Sequence, residues 1–302
     1  MWPLSESRFA DSNGSLIISD SLFVNSKTDD KGGAILVTTY DRLLFVFSSY
    51  FENCSSPVNG GAIFAICKEM QYQSLVFVKC FAYDEPSIAS YDYTNKYNSV
   101  LLYCAILFCL GHKNNSCILT LEENVKCNYI NNTRCFSRHI ALCFLGSSSA
   151  NQEMTYSTLI NNTTDEALYY TQLQNPGKVK VSHVNYVGSE YEDASKTIIP
   201  IRLVNSCNLK LSSCYFMKSF SSIFISNNNI NPTVSASNCY RLNNIPIGID
   251  GIDIKLDSKV QTADAEFDVQ FKFIKWNISF RRNRNGKHKC VVSLFLSSLL
   301  FL

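Results

Sequence analysis

Acidic pairs are the first place to look for chemistry in this chain. Cleavage of a polyanionic polysaccharide needs clustered carboxylates that hold calcium or act as acid and base, with Arg or Lys beside them. Asp29 with Asp30, Asp250 with Asp253, and Asp264 with Glu266 are the available groupings. Asp29-Asp30-Lys31 runs straight into Gly32-Gly33 and reads as a solvated loop tip. Asp250-Gly-Ile-Asp253 lacks the further carboxylates of a calcium loop and reads as a turn. The four histidines, His112, His139, His183 and His288, have no metal-type spacing, and His183 falls on a strand position that faces either core or solvent. No Gly-x-Ser-x-Gly elbow, phosphate loop or dinucleotide fingerprint occurs, and thirteen cysteines form no Cys-x-x-Cys pair. The expectation is therefore no catalytic residues, no cofactor and no metal.

Composition narrows the class further. Of 302 residues, 46% are hydrophobic, 13% aromatic and 17% charged, which is ample material for a core. The net charge of +2 leaves no electrostatic footprint for nucleic acid. One basic cluster, Arg281, Arg282, Arg284, Lys287, His288 and Lys289, flanks the apolar run Val291 to Leu302. As a helix, twelve residues span only about 18 Å against a bilayer core near 30 Å. The run reads as the start of an anchor, as a cleaved lipid-anchor signal or as a last strand, so membrane association stays open. Met1 to Ser15 lacks the pattern of a secretory signal, and repeat-like sequence starts almost at once; the chain is expected to begin inside a longer protein.

The elements that would position these residues follow from an internal repeat. Leu22-Phe23-Val24-Asn25 and then Gly32-Gly33-Ala34-Ile35 are answered 28 residues later by Tyr50-Phe51-Glu52-Asn53 and Gly60-Gly61-Ala62-Ile63. Weaker echoes align residues 128–133 with 158–163 at an offset of 30, 179–184 with 209–214 at 30, and 213–216 with 238–241 at 25. Residues 76–120 have the same texture but no unique register. Short alternating runs such as Leu43 to Phe47 and Val179 to Val184 read as strands that cannot bury an apolar face alone. Stacking each coil on the last, at about 4.8 Å, supplies the missing partner. Gly-Gly opens backbone angles closed to other residues, and the following Ala fits a tight corner. Asn25 and Asn53 suit a left-handed corner and a side-chain ladder. Cys54, Cys80, Cys127, Cys214 and Cys239 are expected in one column of small side chains, as buried thiols or partly paired ones.

The fold class expected is all-β: a right-handed parallel β-helix of seven or eight coils of about 25 to 30 residues. Residues 1–15 would be an N-terminal segment, 16–250 the β-helix, 251–286 a C-terminal β cap and 287–302 the basic flank and tail. The cap is read from Phe267, Val269, Phe271 and Phe273, with Trp276, Ile278 and Phe280, which alternate with polar residues.

The paired Gly-Gly-Ala-Ile motifs, each preceded by an apolar or aromatic residue, two spacers and Asn, resemble the polymorphic outer membrane protein repeat of chlamydial surface proteins. Large repeat surface proteins of trichomonad parasites look similar. The matching positions are Asn25, Gly32, Gly33, Ala34, Asn53, Gly60, Gly61 and Ala62. The resemblance implies a pectin-lyase-like β-helix displayed outside the cell and associated with adhesion. The function expected is thus binding of a glycan or protein ligand, with a carbohydrate-active enzyme as the alternative.

Overall fold

A computed structural model describes residues 8–9, 15–83, 88–91, 98–111, 118–121, 124–137, 140–146, 151–160, 162, 167–173, 177–187, 199–204, 207–217, 224–226, 233–242, 253–256, 261–263, 271–282 and 288–299. All the regular structure among them is β, and the chain stacks parallel strands into a β-solenoid.

One coil shows how the sequence is used. Leu43–Phe47 lies in a first sheet, Tyr50–Glu52 in a second, Ser55–Ser56 in a short fourth sheet and Ile63–Ile66 in a third, after which Glu69–Gln73 begins the next rung of the first. The first and second sheets have ten strands each, the third nine and the short one four. The expected seven or eight coils covered residues 16–250; the first sheet has nine rungs there, and Asp253–Leu256 adds a tenth. Pairing is in register: Leu22, Tyr50, Val76, Ala105, Asn131, Thr158, Asn185, Tyr215 and Tyr240 stand one above another in the second sheet.

That register bears out the offsets of 28, of 25 and of 30 between 179–184 and 209–214. It corrects the alignment of 128–133 with 158–163. Asn131 pairs with Thr158, a spacing of 27, so the shared Ile-Asn-Asn-Thr text sits at different places in its two coils. Beyond residue 250, Asp253–Leu256 and Gln261–Ala263 add parallel rungs to the first and second sheets. Phe271–Arg282 and His288–Leu299 form an antiparallel hairpin, which takes in most of the basic cluster and of the apolar tail. Asp250, Asp264, Glu266, Phe267, Val269, His112 and His139 lie outside the described residues. No helix among the described residues is long and apolar enough to cross a membrane.

Alternation sends every second strand residue inward. In the second sheet this builds a column in which Phe23, Phe51 and Phe77 stack at 4.9 and 4.8 Å between ring centres, and Tyr186 and Phe216 at 5.1 Å. Each such ring contributes about 1.5–3 kcal/mol by leaving water. The first sheet adds Leu44, Val46, Met70, Tyr72, Leu101, Val179, Val181, Leu209 and Leu211. The glycine turns fit against the short sheet. Gly32 and Gly60 hold φ of +68° and +67°. A Cβ on Gly33 or Gly61 would land on the backbone carbonyl of the coil above, Gly61 in one case and Phe81 in the other. The two turns also bond directly, Gly32 N–H donating to Asn59 O at 2.9 Å and Gly33 N–H to Gly60 O at 3.0 Å.

Asn132 interrupts the apolar column. It stands between Ile106 and Leu159, is fully buried, and neither its Oδ1 nor its Nδ2 has a hydrogen-bond partner among the described residues. Burying an unsatisfied amide costs on the order of 1–3 kcal/mol. Asn132→Leu is near-isosteric and restores the column, so it should stabilise the chain by about 1–2 kcal/mol in urea unfolding. A loss of stability of that size would contradict the account.

Candidate functional site

The corners between sheets decide which side chains reach solvent. Between the first and second sheets nine coils turn with two described residues. The first is left-handed: Asp20, Ser48, Ser74, Tyr103, Tyr129, Tyr156, His183, Ser213 and Asn238, with φ between 45° and 58°. Its amide still donates upward, as in Tyr103 N–H to Asn128 O at 2.9 Å, Tyr129 to Thr155 at 3.0 Å and His183 to Ser212 at 2.9 Å. The second residue points inward and is buried, as Ser49, Leu75, Cys104, Ile130, Ser157, Val184, Cys214 and Cys239 are. The left-handed residue is thereby turned outward.

Four aromatic rings occupy consecutive outward positions. Tyr103 and Tyr129 stack with centroids 4.7 Å apart, Tyr129 and Tyr156 at 5.1 Å, and Tyr156 and His183 at 4.7 Å, with interplanar angles of 11° to 22°. Tyr156 is 49% exposed, His183 is exposed, and the other two are half-buried. A left-handed tyrosine costs roughly 1–2 kcal/mol of backbone strain, which ring stacking of about 0.5–1.5 kcal/mol per pair partly offsets. His183, read from sequence as a strand residue, is instead a corner residue on the outside.

The outer face of the first sheet continues the strip. Register places Lys126, Glu153, Lys180 and Lys210 in one column and Asn124, Asn151, Lys178 and Asn208 in the next. Lys180 Nζ meets Glu153 Oε1 at 2.7 Å, a partly exposed pair of modest worth. Asn151 donates to Asn124 Oδ1 from its backbone at 3.1 Å and from its amide at 3.4 Å, and Thr155 Oγ1 donates to Asn128 Oδ1 at 2.5 Å. Lys126, Lys178 and Lys210 are exposed. The strip therefore offers ring edges, amides and ammonium groups at one-rung intervals, and it lacks any convergence of carboxylates among the described residues.

The sequence-predicted motif lies elsewhere, around the second corner. Asn25 and Asn53 are left-handed, with φ of 55° and 51°, and Asn53 Nδ2 donates to Asn25 Oδ1 at 3.2 Å. Lys79, Phe108 and Arg134 continue that outward column, with the Arg134 guanidinium 5.9 Å from the Phe108 ring centre. Ala34 and Ala62 are fully buried behind their glycines. Asp29 and Asp30 are exposed beside the glycine turn, and Ser56 Oγ donates to the backbone oxygen of Asp30. The aromatic column escaped the sequence reading. Its signal was the spacing of Tyr103, Tyr129, Tyr156 and His183, which stand 26, 27 and 27 residues apart.

The cysteines divide between the two corners rather than sharing a column. Cys54, Cys80, Cys109 and Cys135 follow the left-handed residues of the second corner, Cys104, Cys214 and Cys239 those of the first, and Cys127 lies within a first-sheet strand. The nine cysteines whose side chains are described, Cys67 among them, are buried and none is in a disulfide. Compared with family models, with curated proteins and with solved structures, the chain gives no match.

Behind Tyr103, burial pushes the Cys104 thiol up to about 12, against backbone hydrogen bonds at Leu75 and Leu102 that lower it. A thiol raised in the folded state stabilises the fold fully below its unfolded value near 9 and loses that contribution as pH climbs toward 12. Urea midpoints measured from pH 8 to 11 should therefore fall less steeply for Cys104→Ala than for the unmodified chain. Parallel slopes would contradict this.

Proposed function

We propose that this chain is a non-catalytic binding scaffold whose outer strip meets a glycan or protein ligand. The observation that carries the reading is the exposed stack of Tyr103, Tyr129, Tyr156 and His183, edged by Lys126, Lys178 and Lys210. Core packing does not require aromatic residues at an outward corner, since serine fills the same place in three other coils. Aromatic edges beside amides and mobile ammonium groups suit a polar ligand with apolar faces, which is the chemistry of a sugar chain or of a polar peptide. The likeness of Gly32-Gly33-Ala34 and Gly60-Gly61-Ala62 to the polymorphic outer membrane protein repeat supports display at a cell surface and a role in adhesion.

The test uses the purified chain against a panel of immobilised neutral and acidic oligosaccharides, with Tyr129→Ala/Tyr156→Ala as the matched variant. Loss of about 1–2 kcal/mol of binding, roughly five- to thirtyfold, with an unchanged circular dichroism spectrum is the expected result. Equal binding by the variant would remove the strip from the account. Shortening of an acidic polysaccharide by the chain would replace it with the carbohydrate-active alternative.

A further inference from the structure

The inward corner positions hold a second, independent pattern. Register pairs Glu52 with Val78, Val78 with Leu107 and Leu107 with Thr133, so the residues two places on, Cys54, Cys80, Cys109 and Cys135, occupy four successive rungs of one column. The other corner repeats this once: Ser212 pairs with Ser237 and Tyr215 with Tyr240, which sets Cys214 directly beneath Cys239. Each cysteine follows a left-handed residue of nearly equal φ, between 51° and 54° in the first column and 52° in the second, so the backbone aims the thiols alike.

We infer that these columns are cross-linking sites, in which Cys54 joins Cys80 and Cys214 joins Cys239 as disulfides between successive coils on exposure to a low-molecular-weight disulfide.

Register sets every two successive cysteines of a column one rung apart, so Cys80 faces Cys109 as closely as it faces Cys54. Residues in register on adjacent rungs lie about 4.8 Å apart at Cα, inside the roughly 4.4–6.8 Å window of a disulfide. Parallel Cβ atoms at that spacing must close by somewhat under about 1 Å, so the bond is strained and readily reversed by reductant. No thiol of another column competes at that separation, because the two corners are divided by a second-sheet strand. The thiols are also unlike one another. The neighbouring Cys80 holds the Cys54 thiol below the ordinary range, while burial, with Cys109 and Cys54 on either side, pushes Cys80 well up. Cys239 is lowered in the same way by Cys214, itself raised by burial. Within each pair one thiol is lowered and its neighbour raised.

Local opening of a coil admits the oxidant. The Cys54 thiolate attacks one sulfur of R–S–S–R, forming Cys54–S–S–R and expelling R–S⁻. Cys80 then gives its proton to the expelled thiolate and attacks the Cys54 sulfur, expelling the second R–S⁻, which takes a proton from water's buffer. Two protein thiols are oxidised and one R–S–S–R is reduced to two R–SH.

The full chain, purified under reductant, is moved into oxidised glutathione, then alkylated in denaturant and mapped by tryptic mass spectrometry without reduction. Cleavage after Lys68, Lys79, Lys210 and Lys218 places the four cysteines on separable peptides. The expected result is a Cys54–Cys80 linked pair and a Cys214–Cys239 linked pair, with a thermal midpoint raised by several degrees and returned by dithiothreitol. In Cys80→Ser, Cys54 should be recovered alkylated. Free Cys54 and Cys214 in the unmodified chain, or linkage of either to a cysteine of another column, would overturn the inference.

Discussion

The left-handed corner residue is the constraint on which the rest of this molecule depends. A strand of three residues in the second sheet, such as Tyr50–Glu52, is too short to stand alone, and it is tied to its neighbours by corners of only two residues on each side. A left-handed residue reverses the facing of the chain while keeping its amide in the ladder, as the bond from Asn53 N–H to Val78 O at 3.1 Å shows. Because the same corner recurs coil after coil, any residue placed there becomes part of a column. Outside, the columns are Asn25 with Asn53 and the tyrosine stack; inside, they are phenylalanines and thiols. The strain of non-glycine residues at positive φ is spread over many rungs and offset by hydrogen bonds and stacking that repeat with the same period.

Much of the architecture was legible because repetition writes itself twice. Gly32-Gly33-Ala34 and Gly60-Gly61-Ala62 keep one spacing to their asparagines, and that spacing is the rung repeat in the structure. Where the glycine turn is missing, the register is held by corner geometry, which is nearly silent in sequence: Ser, Tyr, His, Asp and Asn all fill the left-handed place. Residues 76–120 therefore have no unique register in the sequence, and residues 128–133 resemble 158–163 in letters but not in position. Rung offsets that vary from 20 to 32 residues let a four-residue identity outweigh the true offset of 27. The cysteine columns merge in the sequence for the same reason, since two corners with the same local pattern look like one until the strand between them is placed.

Interior and exterior columns divide the work of the chain. Phe51, Cys80 and Leu211 face a dry interior and are sufficient to hold coils together. Tyr129, Tyr156, Lys126 and Lys210 do little for that interior and lie on one side, along the first sheet and its corner. Under the proposed binding role, outward residues at a fixed repeat would specify the ligand without altering the fold. On this reading the glycines and asparagines of the motif keep the register, and recognition belongs to the aromatic and cationic columns beside them.

The central claim is that successive corners rise by one rung each in a single register. Pulsed dipolar spectroscopy on spin labels carried by non-natural amino acids measures this directly and leaves the native cysteines untouched. Ser48 and His183 are five rungs apart at the same corner, and Ser48 and Asn238 are seven. At about 4.8 Å per rung, the backbone separations should be about 24 Å and about 34 Å. Label distances that differ by about 10 Å in that order support the account; equal, reversed or unresolved broad distances would contradict it.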